Sequence, residues 1–181
     1  MPDTYFFDAP PRPEDLVERM FRQFQKVYAQ LLREVPGAQA FNLLEVVTVA
    51  ALVEEEAKTP EERPLVASVI YNRLDEEMPL QLDATLQYAL RKYGQRMLDA
   101  DKQVESPYNS YKYAGLPPGP IANPGVDSLR AALNPAKSEY LYFVSNADGR
   151  THTFSKTLAE HNRAVARFNA EMAVQRREQR P

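Results

Sequence analysis

The chain has 181 residues, 44% hydrophobic and 26% charged, with 22 Lys+Arg against 25 Asp+Glu and a net charge of −3. That length supports one packed core, and the charge balance excludes a general nucleic-acid binder, which needs a basic face to displace counterions. No cysteine and only two histidines occur, which removes disulfides, thiolate chemistry and three-histidine metal sites.

HExxH, GxGxxG and Walker patterns are absent, as is any secretory signal or any apolar run of the ~20 residues a membrane span needs. Proline is over-used: 15 Pro stand against 6 Gly, where the usual shares are about 5% and about 7%. The prolines mark element boundaries. Ala9-Pro10-Pro11-Arg12-Pro13 leads into a helix starting near Pro13, a favoured first-turn residue, with Glu14 and Asp15 placed for the N-terminal dipole. Leu16, Met20, Phe21, Phe24, Val27, Tyr28, Leu31 and Leu32 recur at three and four residues and predict an amphipathic stripe. Val35-Pro36-Gly37 ends it.

Asn42 with Glu45 predicts a capping box opening a second helix to about Ala57. Leu43, Leu44, Val46, Val47, Val49, Ala50, Ala51, Leu52 and Val53 make it apolar on most sides, so it belongs in the middle of the domain. Thr59-Pro60-Glu61-Glu62 predicts a further capping box and a third helix to about Leu74. Asp83 is the expected cap of a short helix over 84–92.

Residues 99–125 hold Ser106-Pro107-Tyr108-Asn109-Ser110-Tyr111 and Gly115-Leu116-Pro117-Pro118-Gly119-Pro120, a composition that rules out regular helix or central strand. A short helix is expected at 126–133. Tyr140–Val144 and Thr151–Phe154 predict two strands joined across Asn146-Ala147-Asp148-Gly149, and Thr157 with Glu160 caps a final helix running into a frayed basic tail. The expected fold is a single α+β domain over 1–181, mostly helical, with a small β-hairpin and a long Pro/Tyr-rich loop.

Chemistry concentrates first in Val53-Glu54-Glu55-Glu56-Ala57, the end of the most apolar helix. At about 100° per residue three consecutive acids cannot share one face. Glu56 continues the stripe of Val49, Leu52 and Val53, and Glu54 follows the smaller face of Val47, Ala50 and Ala51. A carboxyl drawn out of water holds its proton to higher pH, which a general acid at a glycosidic bond requires. The plain alternative is a solvated acidic helix end.

Gln81 and Asp83 alternate with Leu80 and Leu82, placing both polar side chains on one side of an extended segment. The Tyr- and Asn-bearing loop suits sugar faces and hydroxyls, and equally suits a rigid structural loop or a peptide groove. His152 and His161 read as structural histidines, and Arg163, Arg167, Arg176 and Arg177 as a solvated helix face.

Several ordered segments are similar to the MltG (YceG-like) family of endolytic murein transglycosylases. They are Val49–Ala57, Pro60–Leu74, Leu80–Asp83, Ser106–Tyr111, Gly115–Ile121, Ala131–Lys137, Tyr140–Val144 and His161-Asn162, with the opening Pro2-Asp3-Thr4-Tyr5. The resemblance covers almost the whole chain. It implies a lysozyme-like catalytic domain that cleaves the β-1,4 bond between MurNAc and GlcNAc inside glycan strands, leaving 1,6-anhydro ends, a lyase-type reaction. The family's catalytic glutamate lies in a Val-Glu-Lys-Glu-Thr segment whose second acid maps onto Glu56, the catalytic residue the resemblance implies; Glu54 falls on the first acid and is the alternative if the alignment shifts.

Ala57, Leu82 and Ala84 stand where the family usually has Thr, Thr and Pro. The candidates for holding the glycan are Gln81, Asp83, Tyr108, Asn109, Tyr111 and Asn123. No metal or cofactor is expected. The implied partners are peptidoglycan strands and cell-wall synthesis proteins, at the cell envelope, with no nucleic acid. The resemblance also implies an N-terminal membrane helix and a small preceding domain, both missing from these residues, so the chain is expected to be an excised catalytic domain, in preference to a shortened natural relative. The rival readings are a two-carboxylate glycoside hydrolase, with Asp83 activating water, and a non-catalytic peptidoglycan-binding module.

Overall fold

The second helix organises the fold. In the computed structural model, which describes residues 1–178, α1 spans Pro13–Glu34, α2 Leu43–Glu56, α3 Arg63–Asp75, α4 Asp83–Leu90, α5 Val126–Leu133 and α6 Leu158–Glu178. One hairpin, β1 Tyr142–Ser145 antiparallel to β2 His152–Ser155, forms the sheet among the described residues. Its register pairs Tyr142 with Ser155 and Ser145 with His152. The mostly helical α+β class expected from the sequence is the observed one.

Asn42 caps α2 by accepting from the Leu44 and Glu45 N–H groups, relieving two donors that have no partner within the helix. Val46 and every residue from Thr48 to Val53 are buried. α2 packs against α3, α4 and α5, and Ala50, Ala51, Ala67, Ala131 and Ala132 are buried with it, small residues that let helices approach closely. Each buried Val or Leu contributes about 1.5–3 kcal/mol, so the helix is held by its surroundings rather than by its own propensity. The stripe of α1 is covered along its C-terminal half only. Leu31 is buried and Phe24, Val27, Tyr28 and Leu32 pack on the core, whereas Leu16, Val17 and Phe21 remain exposed.

Three local expectations are corrected. Thr59 makes no side-chain cap, and a 3₁₀ turn, Pro60–Glu62, precedes α3. The Glu62 carboxylate instead accepts the His152 backbone N–H at 2.8 Å and meets the His152 Nδ1 at 2.7 Å, so it is not free to reach back to Thr59. Asp83 does not cap α4; Leu82 holds the cap position and Asp83 is the first helical residue, its carboxylate engaged by Tyr111. The first strand begins at Tyr142 rather than Tyr140, because the Tyr140 and Leu141 carbonyls accept from Asn72 Nδ2 at 2.8 Å and Arg73 Nε at 2.6 Å.

Those two bonds fasten the hairpin to the last turns of α3. At the other end of the hairpin, Lys58 Nζ donates to the Gly149 carbonyl at 2.7 Å. α6 opens with the reciprocal box expected for it: Glu160 N–H donates to Thr157 Oγ1 and Thr157 N–H to Glu160 Oε2, each at 3.2 Å. Arg163, Arg167, Arg176 and Arg177 are exposed. The remainder of the expected basic tail lies outside the described residues. No helix among the described residues is long and apolar enough to cross a membrane.

Candidate active site

The C-terminal end of α2, the N-terminal end of α4, the Pro/Tyr-rich loop and the hairpin meet around a cleft of about 420 Å³. Its lining includes Glu56, Gln81, Asp83, Tyr111, Arg73 and His161. Alternation in the extended segment is as predicted: Leu80 and Leu82 are buried while Gln81 and Asp83 are exposed. Gln81 reaches the cleft through a backbone φ of 53°, a left-handed conformation that costs a side-chain-bearing residue about 1–2 kcal/mol and is held only by its surroundings.

Those surroundings come from the loop. The Gln81 N–H donates to the Ser110 carbonyl and the Leu82 N–H to Ser110 Oγ, both at 3.0 Å. Thr85 Oγ1 and Ser110 Oγ add a buried 2.8 Å hydrogen bond. Asn109 fixes the loop just before this clamp. It is fully buried, donates both amide hydrogens to the Lys102 and Val104 carbonyls, and accepts the Tyr111 N–H at 3.0 Å. With the backbone set, the Tyr111 hydroxyl donates to Asp83 Oδ1 at 2.7 Å. Burial and this bond raise the phenol well above its ordinary range, so at neutral pH it is a donor.

Glu56 is the perturbed acid. Burial raises its carboxyl, the Asp83 charge raises it further, a backbone hydrogen bond from Ala84 works against both, and Glu55 adds a small push, with the result near 7. A group in that condition is half protonated at neutral pH and can both give and take a proton there. Glu54 is placed otherwise. Its Oε2 accepts the Gly125 N–H at 3.1 Å and the Ser128 hydroxyl at 2.6 Å, holding the start of α5 and facing a different cavity. Glu55 is exposed.

Of the six glycan candidates, Gln81, Asp83 and Tyr111 join Glu56, and three do not. Asn109 has its amide fully engaged with the loop itself, so it has no donor left for a sugar. Tyr108 packs on Tyr88 with ring centroids 4.8 Å apart and sets its hydroxyl against Gly119. Asn123 sits on a separate apolar groove with Phe21, Phe24 and Leu44. Arg73 and Ser110 were not singled out from the sequence, and His161, expected to be structural, lines the cleft as well. Their roles arise from tertiary contacts, and only their place inside the quoted motifs could have marked them. His152, expected to be structural, is held by Glu62 while it lines the same cleft.

A mostly helical α+β fold with one carboxyl of raised pKa in the lining of a cleft bordered by a hairpin is the class of protein these features define. The chain belongs to the YceG-like family, whose pattern it matches over residues 1–167. It is 42% identical over 168 residues to a protein of Bacillus subtilis named endolytic murein transglycosylase, covering 92% of this chain and 46% of that one. It is 34% identical over 170 residues to a Streptococcus pneumoniae protein of the same name, covering 91% and 31%. A crystal structure of a YceG-like protein from Listeria monocytogenes superposes with a TM-score of 0.80 at 39% identity, over 90% of this chain and 53% of that one. The chain therefore spans about half, or less, of the length of the relatives it matches.

Proposed function

We propose that this chain is the catalytic part of an endolytic murein transglycosylase that cuts the MurNAc-β-1,4-GlcNAc bond within glycan strands and leaves 1,6-anhydro ends. The observation that carries the reading is the Glu56 carboxyl, raised to about 7 on the wall of a cleft that Asp83 and Tyr111 share. The names of the Bacillus and Streptococcus relatives support it.

Protonated Glu56 donates to the glycosidic oxygen as the C1–O bond breaks and an oxocarbenium-like centre develops. The carboxylate so formed takes the proton of the muramyl C6 hydroxyl, and O6 bonds to C1. Glu56 ends protonated, no water is consumed, and the intramolecular attack has the advantage of a held nucleophile. Burial, and then the Asp83 charge, keep the Glu56 proton in place until the sugar oxygen receives it. The substrate belongs to the cell envelope, where this reading places the work of the protein, among cell-wall synthesis proteins.

Asp83 in the same cleft favours one second reading, a hydrolase in which Asp83 activates water. Uncrosslinked glycan strands incubated with the chain in H₂¹⁸O separate the two. Anhydro ends without ¹⁸O are expected; reducing ends carrying ¹⁸O would make it a hydrolase, and intact strands would contradict both.

A further inference from the structure

The cleft has a second, oppositely charged end. Arg73 on α3 is buried, with 9% exposure, and lines the cleft with Glu56. A guanidinium carries five N–H donors. Nε donates to the Leu141 carbonyl at 2.6 Å, and Nη1 to the Pro79 and Leu80 carbonyls at 3.1 and 2.7 Å. Among the described residues Nη2 makes no hydrogen bond and no carboxylate lies within ion-pair distance, so the partners are neutral and the charge is uncompensated. A buried cation normally has a counter-ion.

The surroundings hold this cation in one orientation. Tyr142 lies under the guanidinium, with Cζ 5.2 Å from the ring centroid. His161 stacks on the same tyrosine at 5.3 Å, and its Nδ1 is buried without a partner among the described residues. Burial, and then the Arg73 charge, lower the His161 pKa, which disfavours a second cation beside Arg73. A planar donor edge fixed in this way suits a carboxylate better than a flexible ammonium would.

Resting on the transglycosylase reading, we propose that Arg73 is a specificity residue that binds a carboxylate carried by the muramyl substituent, through the donor edge that the protein leaves unpaired. Two sources present that chemistry: the lactyl carboxylate of a peptide-free muramyl residue and a free carboxylate of the stem peptide. The acid end of the cleft then meets the glycosidic bond while the basic end reads the substituent.

The test uses the whole chain with Glu56→Gln, which prevents turnover, and calorimetric titration with four probes. These are peptide-free strands, peptide-bearing strands, and each of them with carboxylates converted to primary amides. The acid form of at least one strand type is expected to bind about tenfold more tightly than its amide, the scale of one charge-assisted bond, and the type showing the gap identifies the source. Arg73→Gln in the same background should close the gap. Because that substitution also frees three carbonyls and can unfold the hairpin, ¹⁵N spectra of the Arg73 guanidinium are recorded with Arg73 intact; its signals should shift with acid strands and stay put with amidated ones. Equal affinity for acid and amide forms, or unmoved Arg73 signals, overturns the proposal. Cleavage by the unsubstituted chain is scored separately: a gap without cleavage sinks the transglycosylase reading alone, and cleavage without a gap sinks the Arg73 reading alone.

Discussion

The Tyr111 hydroxyl donates to Asp83 Oδ1 at 2.7 Å, joining the Pro/Tyr-rich loop to the first turn of α4 beside the Glu56 carboxyl. The bond fixes the position of the Asp83 carboxyl group. Burial is the larger cause of the raised Glu56 carboxyl and the Asp83 charge the second, since a negative charge beside a carboxyl disfavours its ionisation; the loop positions the group that supplies that second cause.

Substitution separates the two neighbouring acids of α2. Glu56→Gln should reduce strand cleavage at least 10³-fold, the scale of a lost general acid, with an unchanged circular dichroism spectrum. Glu54→Gln should retain most activity and lose about 1–2 kcal/mol of stability in urea titration, because Glu54 holds Gly125 and Ser128 at the start of α5. The opposite pattern would move the acid to Glu54.

Activity should depend on pH through Glu56. The donor form is lost as pH rises through about 7, so kcat/KM should fall on that side. Asp83→Asn removes a charge that raises the carboxyl, second to burial, and the falling limb should move to lower pH. A limb that stays in place would show that Asp83 does not act on Glu56.

The same carboxyl predicts a pH-dependent stability difference. Its folded pKa lies above its ordinary value near 4.5, so burial favours the protonated form. The stability that the acid contributes is complete below the unfolded value and is lost as pH rises through about 7. Glu56→Gln, which cannot ionise, should match the parent near pH 4 and exceed it near pH 8 by roughly 3 kcal/mol. Equal unfolding midpoints at both pH values would contradict the raised pKa.

Asn109→Ala should lower stability by about 2–3 kcal/mol, since it leaves the Lys102 and Val104 carbonyls and the Tyr111 N–H without their partner. Tyr111 then loses its placement, so cleavage should fall with the loop rather than through a lost sugar contact. Unchanged urea midpoints would contradict this structural role.

The legible parts of this protein were those encoded within one element. The apolar surface of α2 runs on to Glu56, so the burial of that acid could be read from residues three and four apart, and the 80–83 alternation placed Gln81 and Asp83 correctly. Asn109 could not be read that way. Whether an asparagine faces a ligand or its own loop depends on carbonyls five and seven residues away that no periodicity orders. Arg73 was hidden for a similar reason: it falls inside α3 like any helical arginine, and only the docking of the hairpin turns it into a buried cation. Glu62 misled because the capping pattern is local, while its partner His152 arrives from β2.

The central claim is that Glu56 holds its proton at neutral pH, and carboxyl ¹³C titration of the glutamate side chains measures that directly. One resonance is expected to titrate near 7, to be absent in Glu56→Gln and to move down in Asp83→Asn. If every glutamate titrates below pH 5.5, Glu56 is ionised in the resting protein and cannot be the general acid.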